Sequence, residues 1–171
     1  MIFEELKRIE NSIFKTNHQQ IKNLIKDSEC EEYLGFNFQL EKLNIKFRKA
    51  KITPKKVGLF VTLWKRNTEN ETEPFNENDN FDFYIIVSEQ KEKFGFFLFP
   101  KKILCEKQII TTKNKEGKRG FRVYPSWTQT ENKQAEKTQS WQIEYFIELT
   151  NLENINIEKF KSIINSSSQE M

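Results

Sequence analysis

The chain has 171 residues, a net charge of +3 and 31% charged residues, with two cysteines and one histidine. One domain spanning residues 1–171 is expected at that length, with a core large enough to form without disulfide or metal staples. A single histidine excludes a His-rich zinc site, a Cys-His zinc finger and a Ser-His-Asp triad needing a second, core histidine, and no apolar run approaches the roughly 20 residues a membrane helix requires.

Ile2, Leu6, Ile9 and Ile13 recur at three and four, marking one face of a first helix. The same segment carries Glu4, Glu5 and Glu10 and no small-residue cleavage site, so it does not read as a signal peptide. Asn17 can cap a second helix that buries Ile21, Leu24 and Ile25, with His18 on the surface. Cys30 and Cys105 stand far apart without zinc or disulfide spacing, which points to reduced thiols and a cytoplasmic location. Phe36, Phe38 and Leu40 alternate with polar residues as a half-buried strand does, and Ile45–Arg48 alternates likewise.

Pro54 and Gly58 punctuate a turn before a strand over Leu59–Trp64, and the acidic stretch Thr68–Asn80 reads as a loop. Phe81–Val87 and Phe94–Phe99 are apolar almost throughout, which predicts a paired, central position in a sheet. Ile103-Leu104 and Ile109-Ile110 suit a short helix or turn. Gly117–Gly120 is a tight basic loop, and Phe121–Tyr124 is a strand stopped by Pro125. A helix is expected over Asn132–Ser140 and a last strand over Trp141–Leu149. Ile157, Phe160, Ile163 and Ile164 mark a closing helix before a serine-rich tail that frays. The order predicts an α/β chain with an α+β tendency, a central mixed sheet with helices packed on it.

Charge is segregated along the chain. Residues 42–66 hold nine basic residues and no acid, residues 67–92 hold eight acids against one lysine, and residues 101–137 hold ten basic residues against four acids. Blocks of one sign create a local field that the net charge conceals and that suits a polyanionic partner, although lysine also simply solvates surfaces. Three segments concentrate anion-binding side chains: Arg48–Lys56, which includes Lys51; Trp64-Lys65-Arg66; and Gly117–Pro125 with the later Thr138–Gln142. In the third, Lys118 and Arg119 project from the loop tip, and Arg122 and Tyr124 share one face of the strand. Arginine offers a planar fork to phosphate, tyrosine can stack on a base, and Gln139 and Gln142 can bond base edges or ribose. Trp127 and Trp141 read as core.

Asp82 sits inside an apolar run, where an ionised carboxylate needs a cation or a metal. It is read either as a structural ion pair or as a metal ligand in a cleft.

Together these segments resemble the MepB family of small bacterial proteins. The matching elements are Arg48–Gly58, Phe60–Arg66, Pro74-Phe75, Asp82-Phe83, Phe99-Pro100-Lys101, Gly117–Pro125, Gln134-Ala135, Lys137–Gln139, Trp141-Gln142 and Tyr145-Phe146, in order from about Glu31 to Phe146. The resemblance implies a restriction-endonuclease-like fold and nucleic-acid binding, DNA or RNA.

Nucleases of that fold place an Asp on one strand and a Glu/Asp-x-Lys on the next, where the carboxylates hold Mg²⁺ or Mn²⁺ and the lysine orients the nucleophile. Here Asp82 and Lys101 can stand in that pattern, but Phe99 occupies the second carboxylate position. Only Glu31 or Glu32, from elsewhere in the chain, can replace it. The leading expectation is therefore a non-catalytic nucleic-acid-binding protein acting through Arg48, Lys51, Lys65, Arg66, Lys118, Arg119, Arg122, Tyr124 and Gln139. The alternatives are a metal-dependent nuclease using Asp82, Lys101 and Glu32, with Asp82 on the metal, and a regulatory module that binds a small anion or a protein.

Overall fold

The computed structural model describes residues 3–152 and 155–166. Its centre is a six-stranded mixed sheet. The strands are β1 (Ile21–Lys26), β2 (Phe36–Leu40), β3 (Leu43–Lys49), β8 (Phe83–Gln90), β9 (Lys93–Pro100) and β11 (Phe146–Glu148), in the order β1-β2-β3-β8-β9-β11. Neighbours are antiparallel except β3 and β8, which are parallel. The excursion between β3 and β8 builds the second layer: β4 (Lys51–Ile52) and β5 (Leu59–Thr62), then the ribbon β6 (Trp64–Arg66) and β7 (Thr72–Pro74). Strand β10 (Gly120–Val123) completes a three-stranded sheet in the order β10-β5-β4.

The two central strands are apolar because both of their faces are covered. Phe83, Ile85 and Val87 of β8, with Phe94, Phe96 and Leu98 of β9, point to one side. There they meet Leu6 and Ile9 of helix α1 (Glu4–Ile9), Ile13 and Phe14 of the wider π-turn that continues it, and Phe160, Ile163 and Ile164 of the C-terminal helix. That last helix is α4 (Ile157–Ser166). Tyr84, Ile86, Phe97 and Phe99 point the other way, against Leu59 and Val61 of β5, Phe121 and Val123 of β10, and helices α2 (Lys101–Glu106) and α3 (Lys133–Gln142). Gly95 permits this packing at the β9–β11 contact, because a Cβ there would lie 2.5 Å from Phe146 Cζ and 2.7 Å from the Ile147 carbonyl.

The central mixed sheet flanked by helices is as expected, and so are the alternating β2, the paired central β8 and β9, and the closing helix. Ile2 and the tail beyond Ser166 lie outside the described residues. Three local readings need correction. The helix expected after Asn17 is the edge strand β1, with Ile25 64% exposed. His18 and Asn23 adopt φ of 56° and 54°, which no helix accommodates, and pairing with β2 decides a short run whose periodicity was ambiguous. The strand expected over Leu59–Trp64 breaks at Leu63, and Thr72–Pro74 of the expected loop pairs with Trp64–Arg66 beyond the break. The last strand begins only at Phe146, because α3 runs on through Gln142 and a 3₁₀ turn over Ile143–Tyr145 follows.

Lys46 on β3 is a largely buried cation. Its Nζ donates to Asn37 Oδ1 at 3.2 Å and lies 4.3 Å from the centre of the Phe75 ring. Burial, aided by the charge of Arg48, lowers its pKa to about 8. Between that value and the usual 10.5 the unfolded chain holds a proton the folded chain has released, so stability rises with pH across this window. Relative to Lys46→Met, the natural chain is expected to gain about 2 kcal/mol between pH 7 and pH 9.5 in urea unfolding. A loss over the same interval would show that the ammonium is stabilised where it sits.

Candidate functional site

The first basic segment does not form a continuous anion-binding face. Arg48 is 1% exposed; it pairs with the Asp27 carboxylate and donates to the Phe47 carbonyl at 2.7 Å, so the expectation that it meets a ligand is corrected. Its side chain turns inward because β3 lies inside the sheet with both faces covered. Lys51 is half-exposed, 3.6 Å from Glu32 and over the Tyr33 ring. Lys65 binds Asp79 at 2.6 Å and stands 3.6 Å from Glu73, while Arg66 binds Glu29 at 3.2 Å and the Asn70 carbonyl at 3.1 Å. The acidic block after residue 67 thus neutralises part of the basic block before it.

The third segment behaves differently. The three-stranded sheet and α3 enclose a cleft of about 650 Å³. Lys55 and Lys56 reach it from the turn between β4 and β5, Lys118 from the loop before β10, and Lys107 from the end of α2. Among the described residues Lys55, Lys56 and Lys118 form no ion pair, and Lys107 lies 5.5 Å from the Trp141 ring centre. Glu131 is the one acidic residue in the lining. The apolar walls are Phe60, Phe121, Tyr124 and Trp141.

Interior bonds hold these walls in place. Gln142 is fully buried; its Oε1 accepts from the Tyr124 backbone N–H at 2.8 Å, and its Nε2 donates to the Arg122 carbonyl at 2.9 Å. Gln139 donates to the carbonyls of Pro125 and Thr128 at 2.9 and 2.8 Å. Both amides fix the chain after β10 and are not free to read bases as expected. Arg122 lines the cleft but donates to Thr53 Oγ1 at 2.8 Å, bracing the turn that carries Lys55 and Lys56. Arg119 lies outside the cleft, 2.9 Å from the Thr72 carbonyl and 52% exposed. Gly58, at φ 87°, lies so close to Tyr124 that a Cβ would be 2.6 Å from Cε1. Trp127 and Trp141 are half-buried against Phe146 and Phe99, as their reading as core residues anticipates.

Of the lining, sequence reasoning listed Lys118, Arg122 and Tyr124 as binding residues; it included Lys55 and Lys56 only within the basic segment Arg48–Lys56, and it left Lys107 and Trp141 out of the site. Lys55 and Lys56 carried a signal, the Pro–Gly turn that displays them. Lys107 carried none, since it lies ten residues before Gly117 and only the tertiary fold brings it to Trp141.

The nuclease candidates fall in a second cleft, of about 700 Å³, lined by Asp82 and Lys101. Asp82 Oδ2 accepts from the Asn44 N–H at 2.7 Å and the Asp82 N–H donates to the Asn44 carbonyl at 2.7 Å, so the carboxylate secures the junction of β3 and β8. Lys101 Nζ donates to the Asp79 carbonyl. Glu32 meets Lys51 of β4, beyond the opposite end of β3 from Asn44, and does not line the cleft that holds Asp82. Glu31 pairs with Lys26 at 3.4 Å, and Phe99 is core. Among the described residues no three His, Cys, Asp or Glu side chains stand together as a metal site. Asp82, Lys101 and Glu32 therefore do not stand together around a divalent cation. Burial and then the charge of Glu77 push the Cys105 thiol in this cleft up, which keeps it protonated. Among the described residues no helix is long and apolar enough to cross a membrane.

A family model described as MepB-like matches residues 27–148. The crystal structure of MepB is similar with a TM-score of 0.76 at 32% identity, over 88% of this chain and 99% of that one. A bacterial homing endonuclease, I-Ssp6803I, matches with a TM-score of 0.46 at 15% identity, over 80% of this chain and 84% of that one. No curated protein matches the chain.

Proposed function

The chain belongs to the MepB-like family, and from that premise we propose that it binds nucleic acid through the cleft between the three-stranded sheet and α3. One observation carries this reading: three lysines without carboxylate partners among the described residues share a concave site with aromatic walls, while the basic residues outside it are mostly paired. Phosphate answers the first feature and a base or sugar answers the second. The lysines act as mobile point charges at the rim, the aromatic residues offer flat faces, and Arg122, Gln139 and Gln142 hold the frame. The protein in this reading is a cytoplasmic binding module that performs no cleavage.

Gel retention of duplex DNA, single-stranded DNA and RNA at 50 and 200 mM NaCl, with and without Mn²⁺, tests it. Intact nucleic acid should be retained, and retention should fall steeply with salt as counterion release requires. Metal-dependent cleavage abolished in Asp82→Asn would replace this reading with the nuclease. Absence of retention on every substrate at 50 mM NaCl would leave a small anion or a protein as the partner.

A further inference from the structure

We infer that the cleft accepts one unpaired nucleotide of a single strand, its base against Tyr124 and its phosphates at Lys55, Lys56 and Lys118; this rests on the nucleic-acid reading above. Size limits what the cleft can take. About 650 Å³ is the volume of a pocket for a small molecule, and a base enters such a pocket only after leaving the stack and its partner.

The aromatic residues of the cleft differ in what they already touch. Trp141 already packs against Phe99, with ring centres 5.4 Å apart, and carries Lys107 over its ring, so it serves as a wall. Tyr124 is half-buried, and among the described residues its hydroxyl has no hydrogen-bond partner. Its main chain is fixed by Gln142 and its ring lies on the bare backbone of Gly58. A side chain at position 58 would push that ring into the cleft. The ring is therefore held in place before any ligand arrives, which lowers the ordering cost of stacking. Lys55 and Lys56 lie three and two residues before Gly58, so the turn that supports the tyrosine also sets the cations beside it.

Fluorescence anisotropy at 50 mM NaCl with a labelled single-stranded 12-mer, the matching blunt duplex and adenosine monophosphate as competitor tests this. The single strand should bind at least about 10-fold tighter than the duplex. Tyr124→Ala should weaken single-strand binding about 10-fold or more, and Tyr124→Phe should stay within about twofold, since stacking needs the ring and not the hydroxyl. Circular dichroism melting curves of the three proteins report that each is folded. Equal binding of duplex and single strand, indifference to Tyr124→Ala, or displacement by adenosine monophosphate at the strand's own concentration overturns the inference. Single-strand binding that depends on Lys55 and Lys56 but not on Tyr124 leaves the nucleic-acid reading standing and removes only this one. Absence of binding to either form removes both.

Discussion

Replacing Asp27 by alanine is expected to lower the free energy of unfolding by about 3–5 kcal/mol, because it strands the buried Arg48 guanidinium without a counter-charge. Arg48 is 1% exposed and Asp27 is its carboxylate partner. The Phe47 carbonyl takes a second guanidinium donor, and Nε has no partner among the described atoms. The group is thus incompletely solvated even in the natural chain. Asp27 also accepts the Glu29 N–H at 3.1 Å, capping the 3₁₀ turn over Ser28–Tyr33. Asp27→Asn keeps that cap and removes the charge, so its loss isolates the ion pair. Arg48→Met removes the cation itself and should cost far less, about 1 kcal/mol or below, since an apolar chain suits the site. Urea unfolding of the three variants at pH 7 measures the ordering. An Arg48→Met loss as large as that of Asp27→Ala would mean that the pair, and not merely its completion, stabilises the fold.

Arg48 also marks where the sequence is legible and where it is not. The alternation of Phe36, Phe38 and Leu40 reports a strand directly, because one face meets the core and the other does not. The apolar runs of β8 and β9 report a centre covered on both faces. A basic run carries no such information. Arg48 and Lys56 look alike in sequence, yet one is enclosed by a parallel strand pair and an acid 21 residues upstream, and the other stands on an open turn. The same holds for Gln139 and Gln142. An amide beside arginines and aromatics resembles a base reader, but the open end of β10 needs donors and acceptors, and these two side chains supply them. Glu32 and Asp82 were paired only by chemistry, and β3 separates them along its length.

Replacing Lys55, Lys56 and Lys118 together by alanine is expected to reduce the slope of log K against log salt by about 2, at about 0.7 per phosphate contact on a single strand. If the electrostatic contribution vanishes near 1 M salt, that slope amounts to about 100-fold in affinity at 0.1 M. The expectation follows from the partners of each cation. Lys65 already binds Asp79 at 2.6 Å and Arg66 binds Glu29 at 3.2 Å, so contact with phosphate requires breaking an existing pair. The three cleft lysines have no such pair among the described residues and gain a counter-charge only when a ligand arrives. Lys65→Ala should accordingly change the slope by less than about 0.7, the value for one contact on a single strand. Anisotropy titrations from 50 to 300 mM salt give both slopes, with Arg122→Lys as a third arm. Lysine there loses the fork to Thr53 and the Gly58 carbonyl, which loosens the turn bearing Lys55 and Lys56 while the charge remains. A fall in affinity with an unchanged slope in that variant identifies Arg122 as a positioning residue. A slope lowered by about 0.7 would instead place its guanidinium on a phosphate.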